Sequence, residues 1–444
     1  MQRKSRLAPV QIITLSFASV TLIGALLLML PISSRSGSVP FIDALFTSTS
    51  ASCVTGLVVG DTYAMWSPFG QGVILALIQI GGIGIITLAM YVLSVLHAKV
   101  KMKNVFALQE SIGSDSLGGF AKMTRFIVAG VLVQELVGAL LLMPVLIPDF
   151  GVLKGVLYSF FHSISAFCNA GFDLMSANGG ASVCAYSENL YFNLVISMLI
   201  VSGGLGFFVW LDMLKCKFRF SKFALHTKLV VATSVLLIFV GALLFLLLFF
   251  DSEAAEGMTL YEKCLASFFQ SVTVRTAGFY SVDLTKIGGA TQMLIIALMF
   301  IGGSPCSTAG GIKTTTFAVL LLFVRSIFRG KDDIECFGRR IEKNVLRTAI
   351  AVFVLYIGLA LASGIAISAI EDADIVVCLF ETFSAIATVG LSLSLTPTLC
   401  NASKVIIIIL MFIGRVGGIT VLLSLSGKSK NDAYRYPAEN VTVG

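Results

Sequence analysis

Arg275-Thr276-Ala277-Gly278-Phe279 follows an apolar piece, residues 260–273, that is too short to cross a bilayer. Three other stretches match it: Ser52-Cys53-Val54-Thr55-Gly56-Leu57, Cys168-Asn169-Ala170-Gly171-Phe172 and Ala387-Thr388-Val389-Gly390-Leu391. In each, small or polar residues lead to a glycine, and Leu or Phe comes next. The glycines lie 115, 107 and 112 residues apart. Self-similarity at a near-constant period is the mark of a repeat architecture.

The apolar pieces before the four glycines are 41–52, 153–167, 260–273 and 374–387. At 1.5 Å per residue each reaches only about 20 Å, against a hydrocarbon core of about 30 Å. Each is therefore expected to dip in and return. Irregular backbone at membrane depth is tolerated only beside protein or a water-filled cavity, so four such pieces imply one shared central cavity. Longer apolar runs flank them and read as eight spanning helices: 10–31, 70–95, 125–147, 189–214, 226–250, 288–327, 345–370 and 402–425. The expected fold is an all-α polytopic membrane protein, with eight transmembrane helices in four helix–re-entrant loop–helix repeats around one pore. The repeats run over 10–95, 125–214, 226–327 and 345–425, followed by a tail at 426–444.

Composition agrees with this class. The chain is 57% hydrophobic and 12% charged, about half the charge of a soluble domain. Residues 10–30 follow a basic start, Arg3-Lys4-Ser5-Arg6, but exceed a signal-peptide core of about 7–15 residues, so they read as a first span. The amino terminus, 97–125, 212–228, 313–347 and the residues after 426 hold 24 of the 31 Lys and Arg. The positive-inside rule then places both termini in the cytoplasm and lets all four short pieces enter from outside. The net charge of +7 is thus a topology signal, and no nucleic-acid partner is implied. A basic cytoplasmic face suits anionic membrane lipids or a soluble partner. The nine cysteines form no C-x-x-C pair, the three histidines are far apart, and no nucleotide-binding loop is present. No catalytic constellation emerges, so an enzyme is not expected.

The second helix of each repeat carries its own glycine cluster: Gly81-Gly82-Ile83-Gly84, Gly203-Gly204-Leu205-Gly206, Gly302-Gly303 and Gly414-Arg415-Val416-Gly417. These lie 25, 32, 24 and 24 residues beyond the first glycines. Close helix packing and pore lining are both open for them. The first set fits a cation filter. A ring of backbone carbonyls can replace the hydration shell of K⁺, and Gly adopts the unusual dihedrals that aim carbonyls inward. The expected filter comprises Val54, Thr55, Gly56, Asn169, Ala170, Gly171, Thr276, Ala277, Gly278, Thr388, Val389 and Gly390. None of these is acidic, so carbonyl dipoles must select. The short helices would aim their negative C-terminal ends at the pore centre.

The third and fourth repeats differ. After Gly302-Gly303 come Ser304-Pro305-Cys306-Ser307-Thr308-Ala309 and Gly310-Gly311. Pro305 and its small neighbours break the helix, giving an intramembrane loop near 302–314 where a gate would be useful. Arg415 stands where other clusters have glycine, and a buried Arg needs carbonyls or an acid as partner. Two roles are open for it: a latch on the loop across the pore, or an electrostatic barrier to cation leakage. The gate set is Gly302, Gly303, Ser304, Pro305, Ser307, Thr308, Gly310, Gly311 and Arg415. Glu135 also lies in an apolar span and needs a polar neighbour.

These features resemble the Trk/Ktr/HKT superfamily of K⁺ and Na⁺ transporters over essentially the whole chain. Asn169-Ala170-Gly171-Phe172, Arg275-Thr276-Ala277-Gly278-Phe279, the broken sixth span and Arg415 carry the resemblance. Eight spans after a short amino terminus look most like the bacterial Ktr membrane subunit (KtrB). The resemblance implies channel-like K⁺ uptake in a bacterial cell (inner) membrane. It further implies a homodimer with one pore per protomer, and a cytosolic nucleotide-binding RCK ring of the KtrA/TrkA type. ATP or ADP on that ring would control the loop, and Na⁺ would promote uptake. Relatives with Ser at the first filter glycine tend to carry Na⁺, and Gly56 favours K⁺. Two alternatives stand beside this: a Na⁺-permeable transporter of the same fold, and a secondary transporter for an organic solute. The latter usually has two discontinuous helices from inverted repeats, whereas here four pieces share one orientation.

Overall fold

The computed structural model describes residues 9–84, 87, 120–178 and 182–417. The basic start, the end of the expected span 70–95, residues 97–119 of the basic segment, the end of the span 402–425 and the tail 426–444 lie outside the described residues.

The described chain is helical apart from one small hairpin. In order, α1 is Pro9–Leu28, α2 Phe41–Ser52, α3 Thr62–Met65, α4 Pro68–Ile83, α5 Phe120–Phe150 and α6 Val152–Cys168. Then come α7 Leu190–Leu205, α8 Phe207–Lys215, α9 Leu225–Phe249, α10 Leu260–Thr273, α11 Gly289–Met299 and α12 Thr314–Phe328. Strands β1 Ile334–Cys336 and β2 Arg339–Ile341 pair antiparallel. The helices α13 Lys343–Glu371, α14 Ile375–Ala387 and α15 Asn401–Val416 complete the fold. Among the described residues, four helices are long and apolar enough to cross a membrane: Gln11–Leu28, Met123–Phe150, Leu225–Phe249 and Lys343–Glu371. Their outward residues stay apolar, with Leu22, Leu132, Phe239, Leu247, Val354 and Ile365 all exposed. Large apolar faces of this kind need lipid as their solvent.

The short helices α2, α6, α10 and α14 occupy the four sub-spanning pieces. Three of their N-terminal ends, those of α2, α10 and α14, are tied down chemically. Asp43 in the first turn of α2 pairs with Lys404 at 2.7 Å. Thr259 and Glu262 form a capping box on α10, and Asp374 caps α14 through the Val376 N–H at 2.7 Å. Acidic groups there complement the positive helix end and leave the opposite, negative end free to face the interior. The buried core forms two main bodies. One joins the first two repeats and takes in Phe269, Val272, Ala277 and Phe279 of the third; the other joins the last two and takes in Phe46 of α2 with Cys53 and Leu57 just beyond it.

The second helices depart from expectation at their glycine clusters. The run 189–214 was expected as a single span, but α7 and α8 meet at 92° across Gly206. Gly206 has φ +91°, and Gly84 and Gly417, which stop α4 and α15, have φ +88° and +97°. A backbone in that region is costly for any residue with a Cβ. The clusters thus end their helices at matched positions. The expected break in 288–327 lies between α11 and α12, where residues 300–313 form a loop closed by a parallel bridge between Ile301 and Ile312.

Candidate functional site: a ring of glycines above an interlocked loop

The four short helices are followed within five residues by Gly56, Gly171, Gly278 and Gly390, and these glycines meet. A Cβ placed on Gly56 would lie 2.5 Å from the Ala170 carbonyl oxygen and 3.2 Å from Gly171 Cα. One on Gly171 would lie 2.8 Å from both the Ala277 oxygen and Gly278 Cα. One on Gly278 would lie 2.6 Å from the Val389 oxygen and 3.4 Å from Gly390 Cα. One on Gly390 would press on the Thr55 oxygen and lie 2.9 Å from Gly56 Cα. The contacts run from the first repeat through the second, third and fourth and back to the first, so the ring closes. Each glycine faces the carbonyl just before the next glycine.

Backbone geometry repeats around the ring. The glycines have φ of +97°, +68°, +80° and +94°, and the residues two before them, Val54, Asn169, Thr276 and Thr388, have +57°, +60°, +74° and +51°. The intervening Thr55, Ala170, Ala277 and Val389 are not left-handed. In an extended strand successive carbonyls alternate sides, and alternating the sign of φ turns them towards one side. Three β-branched residues in this conformation store strain of order 1–3 kcal/mol each, which persists only where the surroundings dictate it. Those surroundings are visible. The N–H groups of Thr55, Ala170 and Val389 donate back to Ser50, Ser165 and Ser384 carbonyls at 2.7–2.8 Å, and that of Ala277 donates to Thr273 at 2.9 Å. Ser50 and Ser384 hydroxyls accept the Gly56 and Gly390 N–H groups, both at 3.1 Å. With the N–H groups drawn back to the helices, the carbonyls are left for the ring. All twelve residues expected in the filter lie at this ring, and Val54, Thr55, Asn169, Ala170, Thr276, Ala277, Thr388 and Val389 are fully buried.

The glycines of the second set pack closely, and Gly81, Gly82, Gly84, Gly414 and Gly417 also line a cavity. A Cβ on Gly81, Gly203 or Gly414 would run into the carbonyl of Ser52, Phe167 or Ile386, each four residues before a ring glycine. Absence of a side chain lets these helices press directly against the ends of α2, α6 and α14, as small residues do between membrane helices. In the third repeat Gly302 instead meets Gly310 of the loop, and Gly310 meets the Thr388 side chain.

The loop 300–313 fills the break between α7 and α8. Ser304 N–H donates to the Gly204 carbonyl at 3.0 Å, and the Ser304 hydroxyl reaches the Gly204 and Leu205 carbonyls. Thr308 N–H donates to Gly203 at 3.3 Å, and its hydroxyl to Phe167 at 3.2 Å. In return Phe207 N–H, at the start of α8, donates to the Cys306 carbonyl at 2.9 Å. Backbone groups freed by one broken helix therefore satisfy those of the other, which is how irregular backbone survives away from water. Within the loop, Gly302 N–H donates to Ile312 at 2.8 Å, Gly303 accepts from Thr314 at 3.0 Å, and Ser307 donates to Ser304 at 2.7 Å. Pro305 lies against Gly206, and Gly311, with φ +66°, lies against Ala387.

Arg415 reaches this loop. One terminal nitrogen donates to the Thr308 carbonyl and the other to the Gly81 carbonyl at the end of α4. Lys313 donates to the Ala309 carbonyl at 2.7 Å. Among the described residues neither cation has a carboxylate in ion-pair range. Both line a cavity of about 290 Å³ beside the loop, together with Phe17, Phe207, Gly311 and Tyr356.

Three features escaped the sequence. The Gly206 break had a signal, since Gly203-Gly204-Leu205-Gly206 repeats the pattern of Gly81-Gly82-Ile83-Gly84. Lys313 and Tyr356, whose hydroxyl reaches the Ile413 and Gly414 carbonyls at 3.5 Å, had none. Glu135 finds the polar neighbours it needs in Gln79, at 2.9 Å, and the Cys168 thiol, at 3.6 Å. Asp173, two residues past the second glycine, accepts the Met175 N–H at 3.1 Å. Burial pushes its carboxyl up to about 7 against the pull of that N–H, with nearby Asp61 adding to the rise.

Comparison with known proteins gives the same class. The chain is 40% identical over 448 residues to the potassium/sodium uptake protein NtpJ of Enterococcus hirae, covering 99% of this chain and 98% of that one. It is 40% identical over 440 residues to the Ktr system potassium uptake protein B of Bacillus subtilis, covering 99% and 97%. The crystal structure of the potassium transporter TrkH from Vibrio parahaemolyticus superposes with a TM-score of 0.74 at 18% identity, covering 96% of this chain and 87% of that one, and so shows the same fold. The family model described as TrkH, cation transport protein, matches residues 3–435, and the chain belongs to that family of transporters.

Proposed function

We propose that this chain is the pore-forming subunit of a channel-like K⁺ uptake system. The observation that carries the proposal is the closed ring of Gly56, Gly171, Gly278 and Gly390, with carbonyls of neighbouring repeats packed against each glycine. In this reading eight spans and four re-entrant helices surround the pore, both termini are cytoplasmic, and Asp173 stands at the outer mouth. A cation sheds water at the ring and is held by carbonyl dipoles, with the negative ends of α2, α6, α10 and α14 behind them. Names of the relatives support K⁺ as cargo. The name of the enterococcal protein also includes sodium, which favours Na⁺ permeation as the second reading; four ring glycines favour K⁺.

Residues 302–311 serve as the gate. Arg415 acts as a latch, because its guanidinium bonds the Thr308 carbonyl and bridges to Gly81 across the cavity. Opening withdraws the loop from the α7–α8 break. The Ktr naming of the relative supports a regulatory subunit on the cytoplasmic face. Resemblance to the wider superfamily extends this to a homodimer, an RCK ring binding ATP or ADP, and stimulation by Na⁺. Expression in a bacterial strain lacking its own K⁺ uptake tests the function. With the cognate ring subunit present, growth should return at low external K⁺. Absence of rescue, with the protein present in the membrane, would refute K⁺ uptake.

A further inference from the structure

His162 on α6 and Glu381 on α14 occupy the same register, nine residues before Gly171 and Gly390. Both are fully buried. His162 Nε2 accepts the Leu174 N–H at 3.2 Å, and Glu381 Oε1 accepts the Leu393 N–H at 3.2 Å. Leu174 and Leu393 in turn both stand three residues past their glycines. Two unrelated side chains therefore perform one task at one matched position. The bond partners settle the form of the histidine. Its Nδ1 lies 2.7 Å from the Tyr158 carbonyl, which can only accept, so Nδ1 carries the proton and Nε2 is a bare acceptor. Glu381 makes further bonds: Oε1 accepts the Ser392 hydroxyl, and Oε2 the Thr396 hydroxyl at 2.6 Å.

Among the described residues, the other two repeats show no such tether. Thr47 and Phe269 stand at the equivalent positions. The segment after Gly278 is held from outside its own repeat: Tyr280 N–H donates to the Ser182 hydroxyl at 3.1 Å, and Val183 N–H to the Tyr280 carbonyl at 3.2 Å. Because the ring contacts run in repeat order, the second and fourth repeats face each other across it.

We infer that His162 and Glu381 are paired positioning residues that fix two opposite walls of the filter by accepting the backbone N–H three residues past each glycine. The inference rests on the filter reading above. A carbonyl cage discriminates between cations only while its walls hold their spacing, and a buried N–H left without a partner will move to find one. Acceptor capacity, rather than charge, is what the position requires.

Full-length protein in liposomes, with K⁺ and Na⁺ fluxes measured separately, tests this. His162→Gln and Glu381→Gln keep an acceptor at the same reach. Both should hold the parent K⁺/Na⁺ flux ratio. His162→Leu and Glu381→Leu remove it, and the ratio should fall by about 3- to 10-fold, the worth of one hydrogen bond. Should a Leu variant not fold, His162→Asn and Glu381→Asp withdraw the acceptor while keeping a polar group, and the same fall is expected. Gly390→Ser serves as the reference. A lowered ratio in Gly390→Ser with unchanged Leu and short-chain variants overturns this inference and leaves the filter in place. Gln variants that fall as far as the Leu variants also overturn it. An unchanged ratio in Gly390→Ser as well removes the filter reading itself.

Discussion

Replacing Arg415 with Ala removes two hydrogen bonds from a charged donor, one to the loop at Thr308 and one to the frame at Gly81. In the proposed gate only the first is broken on opening, because Gly81 belongs to α4 and not to the loop. A hydrogen bond from a charged group contributes about 1.5–3 kcal/mol net. At about 1.4 kcal/mol per factor of ten, the closed state loses a factor of about 10–150 relative to the open state. Without a partner subunit the basal flux of a closed pore should rise by that factor. Rb⁺ efflux from liposomes holding the full chain measures it directly. Arg415→Lys separates a latch from an electrostatic barrier. Lysine keeps the charge, but its compact ammonium lacks the planar fork that spans two carbonyls. A latch predicts that Lys also raises flux, by most of the Ala effect. A barrier predicts that Lys behaves as the parent. Unchanged flux and gating in Arg415→Ala would refute both.

Three further outcomes follow from the same geometry. Gly203→Ala drives a Cβ into the Phe167 carbonyl, an overpacking cost of about 1–3 kcal/mol; Tm in detergent should drop, whereas Gly130→Ala, mid-helix where a Cβ meets nothing within 4 Å, should keep or raise it. Thr308→Val deletes the hydroxyl bond to Phe167 at similar volume and should raise basal flux by about 3- to 10-fold; flux at the parent level would show that this bond does not hold the gate. The Asp173 carboxyl, raised by burial to about 7, is neutral below and charged above that pH. With Asp173 at the outer mouth as proposed, uptake should therefore increase as external pH rises from 6 to 8, by adding negative charge there, and Asp173→Asn should flatten the profile. Its folded pKa exceeds the ordinary carboxylate value of about 3.9, so its contribution to stability is lost as pH rises towards 7.

The features that come from chain length and recurrence were legible in the sequence. The short helices α2, α6, α10 and α14 announce themselves because a run of 12–15 apolar residues cannot span a bilayer. The four glycines recur at near-equal spacing, and their convergence follows from closing four equal units around one axis. Pro305 and its polar neighbours marked the loop by local chemistry alone. What stayed hidden depends on partners far along the chain. The break at Gly206 sits in an unbroken apolar run, and its freed carbonyls are satisfied by Ser304 and Thr308, about 100 residues away. Contact with Gly81 joins Arg415 to a residue more than 300 positions earlier. No local pattern encodes such a pairing. The tethers at His162 and Glu381 were concealed for another reason: two side chains of different chemistry share one register, so a search for identical residues passes over them.

The central claim is that cations pass through the ring of Gly56, Gly171, Gly278 and Gly390. Flux of K⁺, Rb⁺ and Na⁺ through the purified full chain in liposomes, parent against Gly278→Ser, tests it most directly. The account predicts that the parent passes K⁺ and Rb⁺ in strong preference to Na⁺. In the variant that preference collapses, because a side chain at Gly278 meets the Val389 carbonyl and the neighbouring glycines. An undiminished preference in a folded Gly278→Ser protein would contradict it.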